Sequence, residues 1–218
     1  MQLGQMEYQE KNGVGFLTFP QLAQFSWLRQ AFSTRKGGVS TGEFSTMNLS
    51  FGRGDSRENV EENYRRFCTA VGFSPDSLTA SAQDHHTVVR RVGQGDWGVG
   101  IWRPKDRESV DGLCTDEPGV TLVTYYADCV PLYFVDPEHR AIGLAHAGWR
   151  GTVAQMGREM LRRMEEEFGT RPCEVYAAIG PSIGPCCYEV DEPVAREFLA
   201  LTHLRPKDFV EEKSGGKY

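Results

Sequence analysis

The chain has 218 residues, 39% of them hydrophobic and 25% charged, and its 30 acidic against 24 basic residues give a formal charge of −6. That acidic balance excludes phosphate-backbone binding as the main activity, so nucleic acid is not an expected partner. The length suits one large domain, and no Pro/Ser/Gly-rich linker or change of composition divides residues 1–218 into halves that could each bury a core.

The first twenty residues lack a basic segment followed by an apolar core, and the apolar stretch from Val120 to Val135 is broken by Asp128. No export signal or membrane span is therefore expected, and a cytoplasmic location follows. Without export, the six cysteines read as thiols or metal ligands rather than disulfides.

In chain order the pattern is mixed α/β. An apolar segment from Val14 to Phe19 precedes "FSTRKGGVSTGEFSTMNLSFGRGD", whose Gly, Ser and Thr content predicts short strands and loops rich in backbone N–H groups. From Ser56 onward Val60, Tyr64, Phe67, Cys68 and Val71 recur at helical spacing, and Asp55 or Ser56 can accept the free N–H groups of the first turn. The β-branched runs "HHTVVRRV" and "VTLVTYY" predict strands. After "HAGWRGT", the positions Val153, Met156, Met160, Leu161, Met164 and Phe168 mark one long amphipathic helix ending by Gly169, with its methionines in the core. "CEVYAAIG" predicts a buried strand, "PSIGPCCYEV" a tight loop, and Glu192 to Leu201 a short helix. The predicted fold class is α/β, with mixed β-sheets and flanking helices layered in a single domain.

The stretch "CVPLYFVDPEHRAIGLAHAGW", Cys129 to Trp149, predicts a hairpin. With Asp136 to His139 as a four-residue turn, Val135 faces Arg140, and counting outward sets Cys129 opposite His146. Opposed residues have Cβ atoms about 4.5–5.5 Å apart, close enough for a thiolate and an imidazole to share a metal ion or a proton. Pro131 cannot donate to a ladder, and a one-residue slip there would put the two side chains on opposite faces.

His146 lies among Ala145, Ala147 and Gly148, small residues that leave room beside a ring. The helix start near Gly151 and Thr152, with Arg150, offers N–H groups and charge to an anion such as phosphate. Of the five histidines, His85 and His86 are adjacent at a strand entrance, where alternation lets only one point inward as a third ligand. His139 and His203 read as solvent-exposed.

Gln83 followed by "HTVVRRV", then "ADCVPLYFVD", "AHAGWRGT" and "IGPSIGPCCYEV", resemble in content and order the YfiH/laccase-domain family, whose members are called polyphenol oxidases or purine nucleoside phosphorylases. "FSTRKGGVSTGEFSTMNLS" and "DSRENVEENYRRF" fit the same pattern, so the resemblance runs from about Phe32 to Val190. It implies a metal site of His85, from Gln-x-His, with Cys129 and His146. Where the family commonly has Gln-Val-His-Gly, this chain has Gln83, Asp84, His85 and His86, which keeps His86 as an alternative ligand. The family pattern also continues with a Cys-Thr and a Phe-Ser-Tyr-Arg segment, so the expectation is one domain over 1–218 with that C-terminal segment missing.

Two imidazoles and one thiolate leave tetrahedral zinc an open fourth position, with copper as the alternative metal. The resemblance implies phosphorolysis of a purine nucleoside (adenosine, inosine or methylthioadenosine) to free base and ribose 1-phosphate, with adenosine deamination as a second activity, by a monomer or homodimer. Cys129, His146 and Asp128 are the candidate catalytic groups, with Asp111 a further acid/base candidate that could equally cap a turn ahead of Gly112. Charge and backbone N–H logic assign phosphate to Arg35, beside Gly37 and Gly38, and to Arg150. Asn48 is assigned to the base or ribose, and the vicinal Cys186 and Cys187 to loop shape. Three rival functions remain: a copper polyphenol oxidase, a Cys-His hydrolase or deamidase, and a purine-binding module without turnover. Five histidines are too few to ligate the four coppers of a laccase.

Overall fold

A computed structural model describes residues 6–218. The chain folds into two compact units: one runs to Ala80 and takes in Val92–Pro104 and Glu117–Thr121, while the other comprises Ser81–Arg91, Lys105–Asp116 and Leu122–Tyr218. Because the chain passes from one to the other several times, no linker marks a boundary in the sequence.

The first unit contains β1 (Glu7–Lys11), β2 (Val14–Thr18), β3 (Phe32–Ser33), α1 (Arg57–Val71) and β4 (Leu78–Ala80). β1 and β2 form a hairpin around Asn12-Gly13, whose φ values of 53° and 76° match the left-handed pair that a type I′ turn requires. Ser56 caps α1 by accepting the Asn59 N–H at 3.2 Å, and Gly72 closes the helix at φ 92°. Ala70 of α1 joins Val14, Phe16 and Met47 in one buried cluster, with Phe67 and Val71 packed against it.

The second unit carries β5 (Val89–Arg91) and β6 (Gly112–Thr115) and then, past β7 (Thr121–Val123), β8 (Val130–Asp136), β9 (Ala141–Ala147), α2 (Trp149–Val153), α3 (Met156–Phe168), β10 (Tyr176–Ile179) and α4 (Glu192–Leu199). Its sheet has the order β10-β8-β9-β6-β5, antiparallel except for the β5/β6 pair. The α/β class with mixed sheets and flanking helices is therefore as expected. Met156, Met160 and Met164 of α3 lie over Ala141 and Ala145 and are at most 1% exposed. The small residues of β9 let the helix approach: a Cβ on Gly143 would stand 2.7 Å from Met160 Sδ.

Four local expectations are corrected. The hairpin pairs Val135 with Ile142 and Pro131 with His146, a slip of two residues that puts the four-residue turn at 137–140. The cause lies in Asp136, whose carboxylate accepts the N–H groups of Glu138 and His139 and so makes it the last strand residue. An even slip preserves facing, so Cys129 and His146 stay on one side. The long helix is two helices, separated where Gln155 adopts φ 59°. β10 is the sheet edge, with three of its four residues exposed rather than buried. The strand expected over "HHTVVRRV" begins only at Val89, leaving His85 and His86 in a bend.

No helix among the described residues is long and apolar enough to cross a membrane. Met160→Ala is expected to lower stability by about 2–5 kcal/mol, because the facing β9 residues are too small to fill the cavity, whereas Met160→Leu costs under about 1.5 kcal/mol. Urea unfolding of the two variants checks this.

Candidate metal centre

The second unit brings His85, Cys129 and His146 together, their ligand atoms all within 4.8 Å of one another. His146 comes from the end of β9, Cys129 from the residue before β8, and His85 from the bend ahead of β5. The rings of His85 and His146 meet edge to face, 5.0 Å between centroids. Gly148 has no side chain because none fits: a Cβ there would lie 2.8 Å from the His85 ring and 3.1 Å from the Cys129 sulfur. The glycine at 148 thus makes room for the His85 ring and the Cys129 sulfur.

Asp111 organises the cluster. Its carboxylate accepts from His146 Nδ1 at 2.7 Å and from the backbone N–H groups of Asp84, His85 and His86 at 3.2, 3.0 and 3.0 Å. Burial raises its pKa, but the His146 ring and the three N–H donors outweigh that and hold it below the usual carboxylate range. An ionised Asp111 can only accept, so Nδ1 of His146 carries the proton and Nε2 presents a lone pair. Its backbone carbonyl also accepts the His146 N–H at 2.8 Å.

His85 sits at φ 72°, a left-handed conformation that the three N–H bonds to Asp111 hold in place. That bend separates the neighbouring imidazoles. His85 joins Cys129 and His146, whereas His86 Nδ1 is engaged by Asp84 at 2.8 Å and by Ser109 at 2.7 Å. Gln83 anchors the bend from the other side, accepting from Tyr125 N–H at 2.7 Å and donating to the Tyr125 carbonyl at 2.6 Å. Tyr126 covers His146, with 5.7 Å between ring centroids, and donates to the Ala145 carbonyl at 2.9 Å.

The donor set suits a soft or borderline cation. Burial, then the carboxylates of Asp128 and Asp111, push the Cys129 thiol above its usual range, so the side chains acting on it do not supply the positive charge a thiolate needs. A bound divalent ion would supply it. Burial pushes the thiol of Cys68 up to about 12, and burial first, with the nearby charges of Arg163, Glu167, Arg91 and Asp116 acting in both directions, does the same for Cys114, which marks both as packing residues.

The remaining candidates fall in different places. Asp128 is exposed beside Cys129, and its carbonyl accepts the Ile183 N–H at 3.0 Å. Arg150 is exposed and stacks on its neighbour Trp149, 4.2 Å from the ring centroid. The expected helix dipole beside it is slight, since α2 has five residues. Arg35 and Asn48 belong to the first unit. There Arg35 donates to the carbonyls of Ser45 and Glu43 at 2.9 and 2.8 Å, and Asn48 bonds Asp55 at 3.0 Å and Ser50. Both therefore hold loops. The sequence reading missed the positioning role of Asp111 and the covering role of Tyr126; an acid just before Gly112 reads equally well as a turn cap.

A family model described as multi-copper polyphenol oxidoreductase laccase matches residues 29–218. The chain is 40% identical over 163 residues to the purine nucleoside phosphorylase YlmD of Geobacillus stearothermophilus, covering 74% of this chain and 60% of that protein. It is 35% identical over 203 residues to a purine nucleoside phosphorylase of Bacteroides thetaiotaomicron, covering 93% and 75%. Among solved structures, YfiH of Bacillus licheniformis superposes with a TM-score of 0.88 at 28% identity, over 97% of this chain and 78% of that one. YlmD of Geobacillus stearothermophilus gives 0.82 at 34% identity, over 98% and 79%. The chain spans 60% and 62% of the length of the YlmD relatives from Geobacillus stearothermophilus and Bacillus subtilis. With the matched stretch running through both compact units, the chain belongs to the multi-copper polyphenol oxidoreductase laccase family, the family of YfiH.

Proposed function

We propose that the chain is a zinc-dependent purine nucleoside phosphorylase, taking adenosine, inosine or methylthioadenosine with phosphate to free base and ribose 1-phosphate. Deamination of adenosine is proposed as a second activity of the same site. The observation that carries this reading is the convergence of His85, Cys129 and His146 around one point, with Asp111 fixing the His146 tautomer. Relatives named purine nucleoside phosphorylase support the choice of reaction.

His85, Cys129 and His146 would hold zinc, as three protein donors of the kind found in catalytic sites. Bound there, zinc would supply Lewis-acid polarisation of a substrate oxygen. Arg150, exposed and kept in place by Trp149, would neutralise phosphate as it approaches the sugar. Asp128, beside Cys129, would move the proton exchanged at the base as the glycosidic bond breaks. Arg35 is proposed for phosphate and Asn48 for base or ribose, in addition to the loop bonds they make.

Copper polyphenol oxidation is the competing reading, favoured by the description of the family model. Ligand arithmetic counts against it. Outside the cluster, His86 bonds Asp84 and Ser109, His139 bonds Asp136 at 2.7 Å, and His203 bonds Gln155 at 3.1 Å. Among the described residues the histidines therefore do not assemble a second, multinuclear cluster. The Cys-His hydrolase reading requires Cys129 to act free of metal, so metal content separates it from the phosphorylase.

Protein purified without added metal is expected to carry about one zinc per chain by elemental analysis, as a single three-donor site implies. It is expected to release adenine and ribose 1-phosphate in equal amounts from adenosine and phosphate. His85→Ala is expected to lose the metal and to slow turnover by more than about 100-fold. Equal zinc in both proteins, or adenine release that does not depend on phosphate, overturns the proposal; inosine formed from adenosine reports the second activity. Asp111→Asn, which offers an NH2 group where an acceptor is needed, is expected to weaken zinc binding by about 10–100-fold, read by competition with a chromophoric chelator.

A further inference from the structure

Cys186 and Cys187 are both exposed, and their sulfur atoms lie 3.3 Å apart. A tight turn presents them together: the N–H groups of Cys187 and Tyr188 both donate to the Gly184 carbonyl at 3.0 Å. The loop is tied to the metal centre at its start, where Ile183 N–H donates to the carbonyl of Asp128 at 3.0 Å. Neither thiol belongs to the three-residue cluster.

Geometry decides what such a pair can do. Adjacent residues have Cα atoms about 3.8 Å apart, below the range of about 4.4–6.8 Å in which disulfides form without strain, so the pair favours the dithiol. Two thiolates binding one centre at about 2.3 Å subtend about 92° when their sulfurs are 3.3 Å apart. Tetrahedral zinc would spread them to about 3.8 Å and a linear two-coordinate ion to about 4.6 Å. An angle near 90° suits a pyramidal, trivalent soft centre.

We propose that Cys186 and Cys187 form a bidentate capture site for trivalent arsenicals, separate from the metal centre but joined to it through the Ile183 to Asp128 bond. With an organic arsenoxide the step is a condensation: two arsenic–sulfur bonds form, the arsenic–oxygen bond breaks, and both thiol protons leave with the oxygen as water. Arsenic remains trivalent, so no oxidant or reductant is needed.

The probe is phenylarsine oxide added to the metal-loaded protein. Expected results are one adduct by intact mass, protection of two thiols from alkylation, and release by a small dithiol but not by a monothiol. Cys186→Ser and Cys187→Ser are each expected to weaken capture by about 100-fold or more, because the second sulfur adds through its high effective concentration. Cys173→Ser, at the other exposed cysteine, is expected to leave capture unchanged. The proposal is overturned if either Cys186→Ser or Cys187→Ser binds within about threefold of wild type, since a chelate loses far more. It is equally overturned if Cys129→Ser abolishes capture, or if the wild-type protein is isolated lighter by two hydrogens and inert to the probe. Thiol counting on the wild type keeps the test decisive should a serine variant fold poorly.

Discussion

Asp111 has no exposed surface, and removing a carboxylate from water costs several kcal/mol unless other donors replace its hydration. Four donors do so here, the His146 ring and the N–H groups of residues 84–86. Those donors belong to segments far apart in the chain, one at the end of β9 and one ahead of β5. The burial of Asp111 is compensated only when both segments are in place, so closing the fold of the second unit and aligning the rings of His85 and His146 are one event. The left-handed backbone at His85 follows from the same bonds, since three successive N–H groups can reach one carboxylate only around a tight bend.

The sequence carried the facing of Cys129 and His146 but not their pairing. Side-chain alternation has a period of two, so any even error in the turn leaves the same residues on the same face, and the slip of two did no harm to the site. Asp136 could not be separated from the turn by residue type alone, because an aspartate that bonds the N–H groups ahead of it looks the same as the first loop residue. The methionines at helical spacing were legible as core because apolar periodicity survives a break in the helix. The break itself was not, since Gln155 takes a conformation that glycine would have announced.

Residues that act through another side chain were the least legible. Asp111 and Gln83 both work by bonding backbone groups, and a partner in the backbone leaves no trace in residue identity. Gly148 is the counterexample. Its smallness was visible beside His146, and the structure shows why, because any side chain there would run into the His85 ring and the Cys129 sulfur.

The pair of adjacent imidazoles bears on what kind of metal centre this chain can build. With both rings turned inward, two histidines from the bend together with Cys129 and His146 would make four protein donors, the complement of a closed structural zinc site. The bend imposed by Asp111 carries the His86 ring away from its neighbour, and Asp84 and Ser109 hold it there through Nδ1. In the proposed function these acids have complementary roles, Asp111 drawing His85 and His146 together and Asp84 keeping His86 apart. The acid and second imidazole that depart from the family's usual Gln-Val-His-Gly thus add no donor to the cluster, which keeps the three donors that the proposed function requires.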